Sequence, residues 1–397
     1  MLCIMDIHLL HNIYILLSSN ICMKTALYAF SGDPITYGHL DIIERAAAAF
    51  DHVVVGIGEN PDKKYMFTLD ERKRLAEQVC RHLPNVEVVS YRGLTVQYAY
   101  ENNIPVIIKG ARDAADIGYE RILDDLGKSQ ALGIDTHILF AKPHLAAVSS
   151  SAAKALVKEQ GQVHELVPMN VKQALEERIR GQYIIGVTGE PGTGKTYVSR
   201  KLVEHATAAG FGVHHIELDE IGHDIRQSRT EPRYVSVREE IASALGQQLL
   251  LGDGSIDRKA LGAIVFNEPE ALRKLNEIMR TPMLVRLSKE MYDQKGLIIF
   301  NAALIAEADM SYICNNNVVL VMADQRVQAE RMQQRGLTAG QIERRLNSQL
   351  RFAGKKRHID DAIQRDRSGH VWVYDNSGVV DGTQRLFEEI RAFLRIQ

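Results

Sequence analysis

The strongest chemical motif of the sequence is the eight-residue loop Gly189–Thr196, which fits the phosphate-binding pattern GxxxxGK[ST]. It follows an apolar run over 183–188 and precedes a helical stretch over 195–209, the context in which such a loop binds phosphate. Its glycines let backbone N–H groups converge on phosphate oxygens, its lysine adds a positive charge, and its threonine hydroxyl can bind Mg²⁺. The alternative is a tight glycine-rich turn with a chance lysine, but strand, spacing and helix together favour nucleotide binding. We expect ATP or GTP to contact Gly189, Gly192, Gly194, Lys195 and Thr196, with Thr196 on the metal.

Charged residues downstream of this loop could complete a site for phosphoryl transfer. Asp219 ends the second apolar run of this half of the chain, where a carboxylate can accept a proton from a substrate hydroxyl. Two basic helical segments follow, joined by a stretch with capping-box spacing. We expect them to form a lid that neutralises the phosphoryl group and excludes water, although a solvated helical face is the alternative for any single arginine. The lid arginines are Arg331, Arg335, Arg344 and Arg345.

A second candidate phosphate site lies near the start of the chain, in the stretch Ser31–His39. A helix is expected to begin around Gly38, so that backbone N–H groups and the His39 imidazole meet at the positive end of a helix. This arrangement can bind a phosphate and donate a hydrogen bond to it. The residues alone leave open a turn with a partly exposed capping histidine.

The elements that position these motifs follow a regular rhythm of short apolar runs and amphipathic stretches. This rhythm predicts an α/β fold with two doubly wound parallel sheets, each with its ligand crevice at the carboxyl ends of the strands. A capping box at Thr68–Glu71 precedes a helix over 72–83, and a long helical block is expected over 227–294. Strands are expected at 24–30, 52–58, 86–91, 105–109 and 135–140, and then at 183–188, 213–218, 297–301, 317–322 and 371–374.

Length and composition agree with two globular domains. The chain has 397 residues, of which 45% are hydrophobic and 25% charged, with a formal net charge of −2. This balance argues against a nucleic-acid partner. Its 4 cysteines have no CxxC spacing, so neither a disulfide framework nor a zinc site is expected, and we predict a cytoplasmic protein. A helix over 170–180 that ends at Gly181 sets the expected boundary between a domain over 23–180 and a domain over 181–397.

Residues 1–22 differ from the rest of the sequence because they are largely apolar and contain no lysine or arginine. They therefore lack the charges of a signal or transit peptide, and Asp6 opposes a membrane span. We expect an extension without function. The alternative is an arm that associates with a membrane or a partner.

The first half resembles the phosphopantetheine adenylyltransferase family of the TxGH/HxGH nucleotidyltransferases. The resemblance spans about 24–177 and rests on Asp33–His39, Asp62–Thr68, Lys109–Arg112, Asp116–Glu120 and Val148–Ser151. It implies adenylyl transfer from ATP to 4′-phosphopantetheine, with His39 and Lys63 as catalytic groups and with Ser31, Lys63 and Lys109 near the acceptor. The ATP contacts it implies are Ser31, Arg112, Glu120, Ser149, Ser150 and Ser151.

The second half resembles dephospho-CoA kinase over about 183–393. The resemblance rests on the phosphate loop, Asp219, Gly252–Arg258, Val265–Phe266, Leu275–Asn276, Arg331, Arg335 and Arg345 with Gln349, and Asp375–Gly378. It implies that Asp219 is the base for the ribose 3′-hydroxyl of dephospho-CoA. Lys195, Thr196 and Arg335 or Arg345 would then act on the γ-phosphoryl group of ATP, with Mg²⁺ as cofactor.

The two resemblances support each other, because the product of the first reaction is the substrate of the second. They predict a Rossmann-like nucleotidyltransferase followed by a P-loop kinase with a helical lid, acting as a bifunctional CoA synthase without a nucleic-acid or membrane partner. The sequence leaves open whether the protein forms a homo-oligomer through the first domain. The sequence departs from both families at positions expected to contact the acceptor. In the first half, Gly32 differs from the usual turn and Lys109 stands where the family has arginine. In the second half, Arg280 and Ala302 differ from the residues usual in the family. The alternatives are a nicotinamide nucleotide adenylyltransferase with a nicotinamide riboside kinase, and a nucleotide-binding regulatory protein with degenerate sites.

Overall fold

The computed structural model describes residues 24–265, 268–347, 349–378 and 381–396. The extension expected over 1–22 therefore lies outside the described residues. Two five-stranded sheets, each entirely parallel, confirm the predicted α/β fold. All ten predicted strands are present within one or two residues of the expected bounds.

The first sheet has the strand order β3-β2-β1-β4-β5, with β1 at its centre. The chain leaves β1 toward β2 on one side and later returns to β4 on the other, which makes the carboxyl ends of β1 and β4 the switch point where ligands bind. Leu27, Val54 and Ile107 from the three central strands belong to one buried cluster. The strands are β1 (Thr25–Phe30), β2 (His52–Gly58), β3 (Val86–Tyr91), β4 (Val106–Ala111) and β5 (Asp135–Phe140). The helices are α1 (Tyr37–Ala49), α2 (Leu69–Cys80), α3 (Thr95–Glu101) and α4 (Ala114–Lys128). The next helix, α5 (Ser150–Lys158), begins at the last residue of the first unit.

The second sheet has the order β10-β9-β6-β8-β7, again with its first strand at the centre. Ile184 and Ile185 are successive residues of β6 and point to opposite faces, yet both are buried, because helices cover both faces of the sheet. Its strands are β6 (Gln182–Gly189), β7 (Val213–Glu217), β8 (Gly296–Asn301), β9 (Asn317–Met322) and β10 (His370–Asp375). The helices are α6 (Met169–Leu175), α7 (Lys195–Ala208), α8 (Leu218–Gln227), α9 (Pro232–Leu245), α10 (Arg258–Val265), α11 (Pro269–Met291), α12 (Gln325–Gln334), α13 (Ala339–Asn347), α14 (Phe352–Asp366) and α15 (Thr383–Leu394).

Local sequence explains several helix ends. Thr68 and Glu71 form the predicted capping box of α2, with Glu71 N–H donating to Thr68 Oγ1 at 3.2 Å and Thr68 N–H to Glu71 Oε2 at 2.8 Å. The block expected over 227–294 is divided among α9, a short 3₁₀ helix, α10 and α11, and it begins with the end of α8. Gly246 breaks the first part of it, with φ at +133°, a conformation that L side chains rarely adopt.

The contacts divide the chain after Ser150, which differs from the predicted boundary at 180. Residues 151–180 join the second unit because polar groups of α6 and the following turn are buried in it. Lys172 Nζ donates to Asn315 Oδ1 at 2.7 Å and lies 2.8 Å from Glu176 Oε1, while Asn315 Nδ2 donates to Glu176 Oε2 at 2.8 Å. All three residues are at least nine-tenths buried. We call these three residues the linker network.

Two further findings bear on the class of protein. No helix in the described part of the chain is both long and apolar enough to cross a membrane. Of the cysteines in the described ranges, Cys80 and Cys314 are buried free thiols. Burial raises the pKa of each of these thiols to about 12, so they stay neutral and pack as small apolar groups.

Candidate active sites

In the first unit, the loop after β1 is held against the loop after β2. Asp33 is buried, and its carboxylate accepts hydrogen bonds from Met66 N–H at 3.1 Å and Phe67 N–H at 3.0 Å. This contact fixes the segment that carries Lys63, whose Nζ lies 3.5 Å from Ser31 Oγ. The structure therefore brings Ser31 and Lys63 together at the carboxyl ends of β1 and β2, where the sequence predicted an acceptor site.

His39 lies in the first turn of α1, at the same crevice. Thr36 caps this helix, and Thr36 N–H donates to His39 Nδ1 at 3.0 Å. Burial lowers the pKa of His39 to about 4, with the nearby charge of Arg112 as a second cause. Because Nδ1 accepts a hydrogen bond, the neutral ring carries its proton on Nε2. His39 is therefore a neutral N–H donor at the N-terminal end of a helix, a group suited to a phosphate oxygen.

Arg72 is a residue of this site that the sequence analysis missed. Its guanidinium is fully buried in α2 and donates from one nitrogen to the carbonyls of Ser31 and Gly58, the latter at 2.9 Å. Its Cζ also stacks 3.9 Å above the centre of the Tyr65 ring. Arg72 therefore ties the ends of β1 and β2 to one helix. Nothing in the sequence indicated that this arginine of the capped amphipathic helix α2 would be buried.

The cations at the end of β4 are paired with carboxylates of α4. Lys109 Nζ lies 3.2 Å from Glu120 Oε2, with both side chains mostly buried, and Arg112 Nε donates to Asp116 Oδ2 at 2.9 Å. The bond to Asp116 raises the pKa of Arg112 and lowers the pKa of Asp116. Asp116 and Glu120 are four residues apart and therefore face the same way on α4. Lys109, predicted to contact the acceptor, and Glu120, predicted to contact ATP, thus form an ion pair in which their charges compensate each other.

The serines at the start of α5 lie beside the loop of the first site. Ser150 begins α5, and its hydroxyl donates to the Pro34 carbonyl at 2.7 Å. Ser149 immediately precedes the helix. Ser151 follows the division of the chain and is counted with the second unit. The structure thus places Ser149 and Ser150 at the site in which the sequence predicted all three.

In the second unit, the phosphate loop connects the central strand β6 to α7. Gly192 and Gly194 have φ of +81° and +90°, and a Cβ at Gly192 would lie 2.7 Å from the Gln328 carbonyl. Lys195 Nζ turns back over the loop and donates to the carbonyls of Gly189 at 3.0 Å and Glu190 at 3.2 Å. The ammonium group is therefore positioned where a β- or γ-phosphate would enter the loop.

The electrostatics of Lys195 are set by burial. Burial is the largest cause and, together with the positive charge of Lys355, lowers its pKa to about 8, against the negative charges of Asp219 and Glu307. Lys195 thus retains a charge at neutral pH that is easily lost in alkaline solution. An arriving triphosphate would stabilise the charged form.

Two residues support the loop from behind. Arg331 Nη1 donates to the Thr193 carbonyl at 3.2 Å and Arg331 Nη2 to the Asn376 carbonyl at 2.8 Å. Asn376 Nδ2 donates to the same Thr193 carbonyl at 2.8 Å. Arg331, predicted as a lid residue, is thus part of the loop's support. Asn376, which belongs to the motif Asp375–Gly378, supports the loop as well.

The predicted lid hairpin is formed by α12 and α13. Thr338 N–H donates to Gln341 Oε1 at 2.9 Å, as its capping spacing suggested. Arg335 ends α12 with an exposed side chain, and its charge contributes to the lowered pKa of Lys195. Arg345 is exposed on α13. The charge of Arg335, one of the two arginines predicted for the γ-phosphate, thus acts on the lysine of the phosphate loop.

Asp219 occupies the first turn of α8, beside the phosphate loop. Withdrawal from bulk water in the crevice raises the pKa of its carboxyl, opposed by the charges of Lys195, Arg226 and Lys355 and by a hydrogen bond from Ala303 N–H. A carboxylate with a raised pKa is a better proton acceptor than an ordinary aspartate. Asp219 and Lys195 thus share one site, as the sequence predicted.

The place expected for Mg²⁺ has oxygen donors. Thr196 Oγ1 accepts a hydrogen bond from Asn301 Nδ2 at 3.3 Å, and the same amide donates to Glu217 Oε1 at 2.8 Å. Within the described ranges no group of three or more His, Cys, Asp or Glu side chains could hold a metal by itself. One hydroxyl plus nucleotide phosphates and water is a set that suits Mg²⁺, so these residues fit a cation that arrives with ATP.

Comparison with known proteins agrees with both halves of this description. Residues 183–370 match the family model described as dephospho-CoA kinase, and residues 31–156 match the model described as cytidylyltransferase-like. Among solved structures, TT1252 from Thermus thermophilus is similar with 25% identity and a TM-score of 0.40, over 54% of this chain and 98% of that one. A dephospho-CoA kinase from Campylobacter jejuni is similar with 20% identity and a TM-score of 0.32, over 53% of this chain and 96% of that one.

The chain therefore combines a cytidylyltransferase-like domain with a dephospho-CoA kinase domain, an arrangement that matches a CoA synthase-like fusion. It is a transferase whose domains support the last two steps of CoA biosynthesis, with ATP and CoA-pathway substrates. The nicotinamide alternative and the regulatory alternative are not favoured.

Proposed function

We propose that the first unit transfers the adenylyl group of ATP to 4′-phosphopantetheine, giving dephospho-CoA and pyrophosphate. A phosphate oxygen of the acceptor attacks the α-phosphorus, and the bond between the α-phosphorus and the bridging oxygen to the β-phosphate breaks. No covalent intermediate on the enzyme is needed, so catalysis consists of positioning and charge stabilisation. The observation that carries this proposal is the neutral His39, whose ring stacks on Phe30 at the carboxyl end of β1, next in sequence to the Ser31 hydroxyl that Lys63 contacts.

The other residues of this unit divide between the two substrates. Lys63 would balance the charge of the acceptor phosphate, with Ser31 donating from its hydroxyl. Ser149, Ser150 and Ser151 would bind ATP through groups at a helix start. Lys109 and Arg112 would bind phosphates in exchange for their carboxylate partners on α4, since an anion competes directly with Glu120 and Asp116 for them.

In the second unit, we propose that Asp219 accepts the proton of the ribose 3′-hydroxyl of dephospho-CoA. The freed oxygen attacks the γ-phosphorus of ATP, and ADP leaves with the electrons of the broken bond. Lys195 and Arg335 neutralise charge on the transferred group, and Arg345 is the second lid candidate. Thr196 would hold Mg²⁺, which would supply positive charge to stabilise the negative charge of the phosphates.

One experiment tests both assignments. His39→Ala should block the formation of dephospho-CoA from ATP and 4′-phosphopantetheine, by about 10²-fold or more, because it removes a donor to developing charge. Phosphorylation of added dephospho-CoA should continue. Asp219→Asn should give the reverse result, with dephospho-CoA accumulating as final product.

Product mass spectrometry after each incubation distinguishes the outcomes. Nicotinamide mononucleotide serves as the competing acceptor, and its adenylylation at a higher rate than 4′-phosphopantetheine would contradict the proposed substrate. Loss of both activities in either folded single variant would contradict the assignment of separate sites.

A further inference from the structure

Lys355, on α14, is a buried lysine beside the kinase site that none of the assignments above has used. Its side chain is 0% exposed, whereas the side chain of the next residue, Lys356, is 39% exposed and pairs with Asp360 at the surface. A buried ammonium is costly unless all its donors have partners. Lys355 Nζ donates to the Ala303 carbonyl at 2.6 Å and to the Glu307 carboxylate.

The residue whose carbonyl Lys355 holds also contacts Asp219. Ala303 follows β8, and its carbonyl also accepts a hydrogen bond from Thr188 Oγ1 of β6 at 3.2 Å. The N–H of Ala303, which belongs to the preceding peptide group, donates to the Asp219 carboxylate. One residue thus links the buried ammonium to the proposed base.

Glu307 fixes the other end of this segment. Its carboxylate accepts from Lys355 Nζ and from Leu350 N–H at 3.1 Å, so the turn over 302–307 is held to the start of α14 at both ends. The charged groups that face Asp219 are Lys195, Arg226 and Lys355, and those that face Lys355 are Glu307, Glu190 and Asp219. Removal of Lys355 would therefore take away one positive charge and one orienting contact.

We propose that Lys355 is a positioning residue of the kinase reaction: by anchoring the turn over 302–307 through the Ala303 carbonyl and Glu307, it keeps Ala303 N–H beside Asp219 and that carboxylate turned toward the nucleotide. This inference rests on the proposed function, in which Asp219 is the base. It also gives a reason for a fully buried charge so close to the phosphate loop.

The test is the kinase activity of full-length Lys355→Met with added dephospho-CoA and ATP. We expect kcat to fall by about 10²-fold, the loss typical of a reacting group displaced by about 1 Å. The acidic limb of the plot of kcat against pH should move to higher pH, because Asp219 loses a positive neighbour and a well-aimed N–H donor. Lys356→Met is the matched control and should change neither quantity.

A loss of activity through misfolding must be distinguished from a loss through positioning, because Lys355→Met leaves the Glu307 carboxylate buried without its charged partner. The double variant Lys355→Met/Glu307→Gln removes both charges and is expected to regain stability in thermal unfolding. It should keep the low kcat and the shifted pH profile. A folded variant with kcat near the wild-type value, or with a reduced kcat and an unmoved acidic limb, would overturn the inference.

Asp219→Asn, measured in parallel, distinguishes this inference from the function on which it rests. Wild-type kcat in Asp219→Asn would show that the base is assigned wrongly. Strong loss there, with full activity in Lys355→Met, would overturn the positioning role alone.

Discussion

The lowered pKa of Lys195 makes ATP binding by the second unit depend on pH. In the free protein this pKa is about 8, so about nine-tenths of the lysine is charged at pH 7 and about one-tenth at pH 9. The charged form is present below pH 8 and is lost as the pH rises through that value. Because the charged form attracts the triphosphate, affinity for ATP should be highest below pH 8.

The size of the effect follows from these fractions. If only the charged form binds tightly, the dissociation constant for ATP rises about tenfold between pH 7 and pH 9, a cost of about 1.4 kcal/mol. ATP itself gains no charge over most of this range, so the change reports on the protein. Proton uptake on binding should appear at pH 8–9 as a dependence of the calorimetric enthalpy on the buffer.

Isothermal titration with Mg²⁺ and ATP at pH 7, 8 and 9 measures both quantities. Lys195→Met provides the control, because it lacks the titrating group and removes its contribution while leaving the first unit's ATP site present. The difference between wild type and variant should carry the pH dependence. Equal affinity of the wild type at pH 7 and pH 9, without proton uptake, would refute the reasoning.

Three further predictions concern the first unit. In a histidine-labelled NMR titration, His39 should stay neutral down to about pH 5, since burial lowers its pKa to about 4; protonation near pH 6.5 would contradict the neutral-donor role. Thr36→Val should lower the unfolding free energy of this unit by about 1 kcal/mol in denaturant, because it removes the hydroxyl that caps α1. Lys109→Arg should lower the KM for 4′-phosphopantetheine at unchanged KM for ATP, because a guanidinium can bind phosphate with two parallel bonds. An unchanged or raised acceptor KM would count against contact with that phosphate.

The fold was largely predictable because its signals are local. Parallel strands buried on both faces appear as short apolar runs, and β6 with its glycine-rich loop needs no distant partner to be identified. The candidate residues at strand ends were predictable for the same reason, since the carboxyl ends of neighbouring strands meet in one crevice. Thr36 and His39 show the limit of this reasoning. Their capping box was missed because the third residue is histidine instead of glutamate or glutamine.

The remaining features depend on contacts between residues distant in sequence. Lys355 meets Ala303 across 52 positions, and nothing in its basic neighbourhood distinguishes a buried lysine from an exposed one. The pairing of Lys109 with Glu120 was obscured because the two residues were assigned to different substrates. The four-residue spacing of Asp116 and Glu120, which puts both carboxylates on one face of α4, was nevertheless a usable signal.

The linker network has a practical consequence for dividing this protein. A fragment that starts at residue 181 would contain the whole second sheet but would lose Lys172 and Glu176, so the Asn315 amide would lose both of its partners in the network. A buried amide without partners costs about 1–3 kcal/mol per unmet group, a large share of the stability of one domain. The excised kinase should therefore keep its preceding helix and begin before Met169. The segment that joins the two sheets, with the buried Lys172 and Glu176, is therefore part of the interior of the second unit.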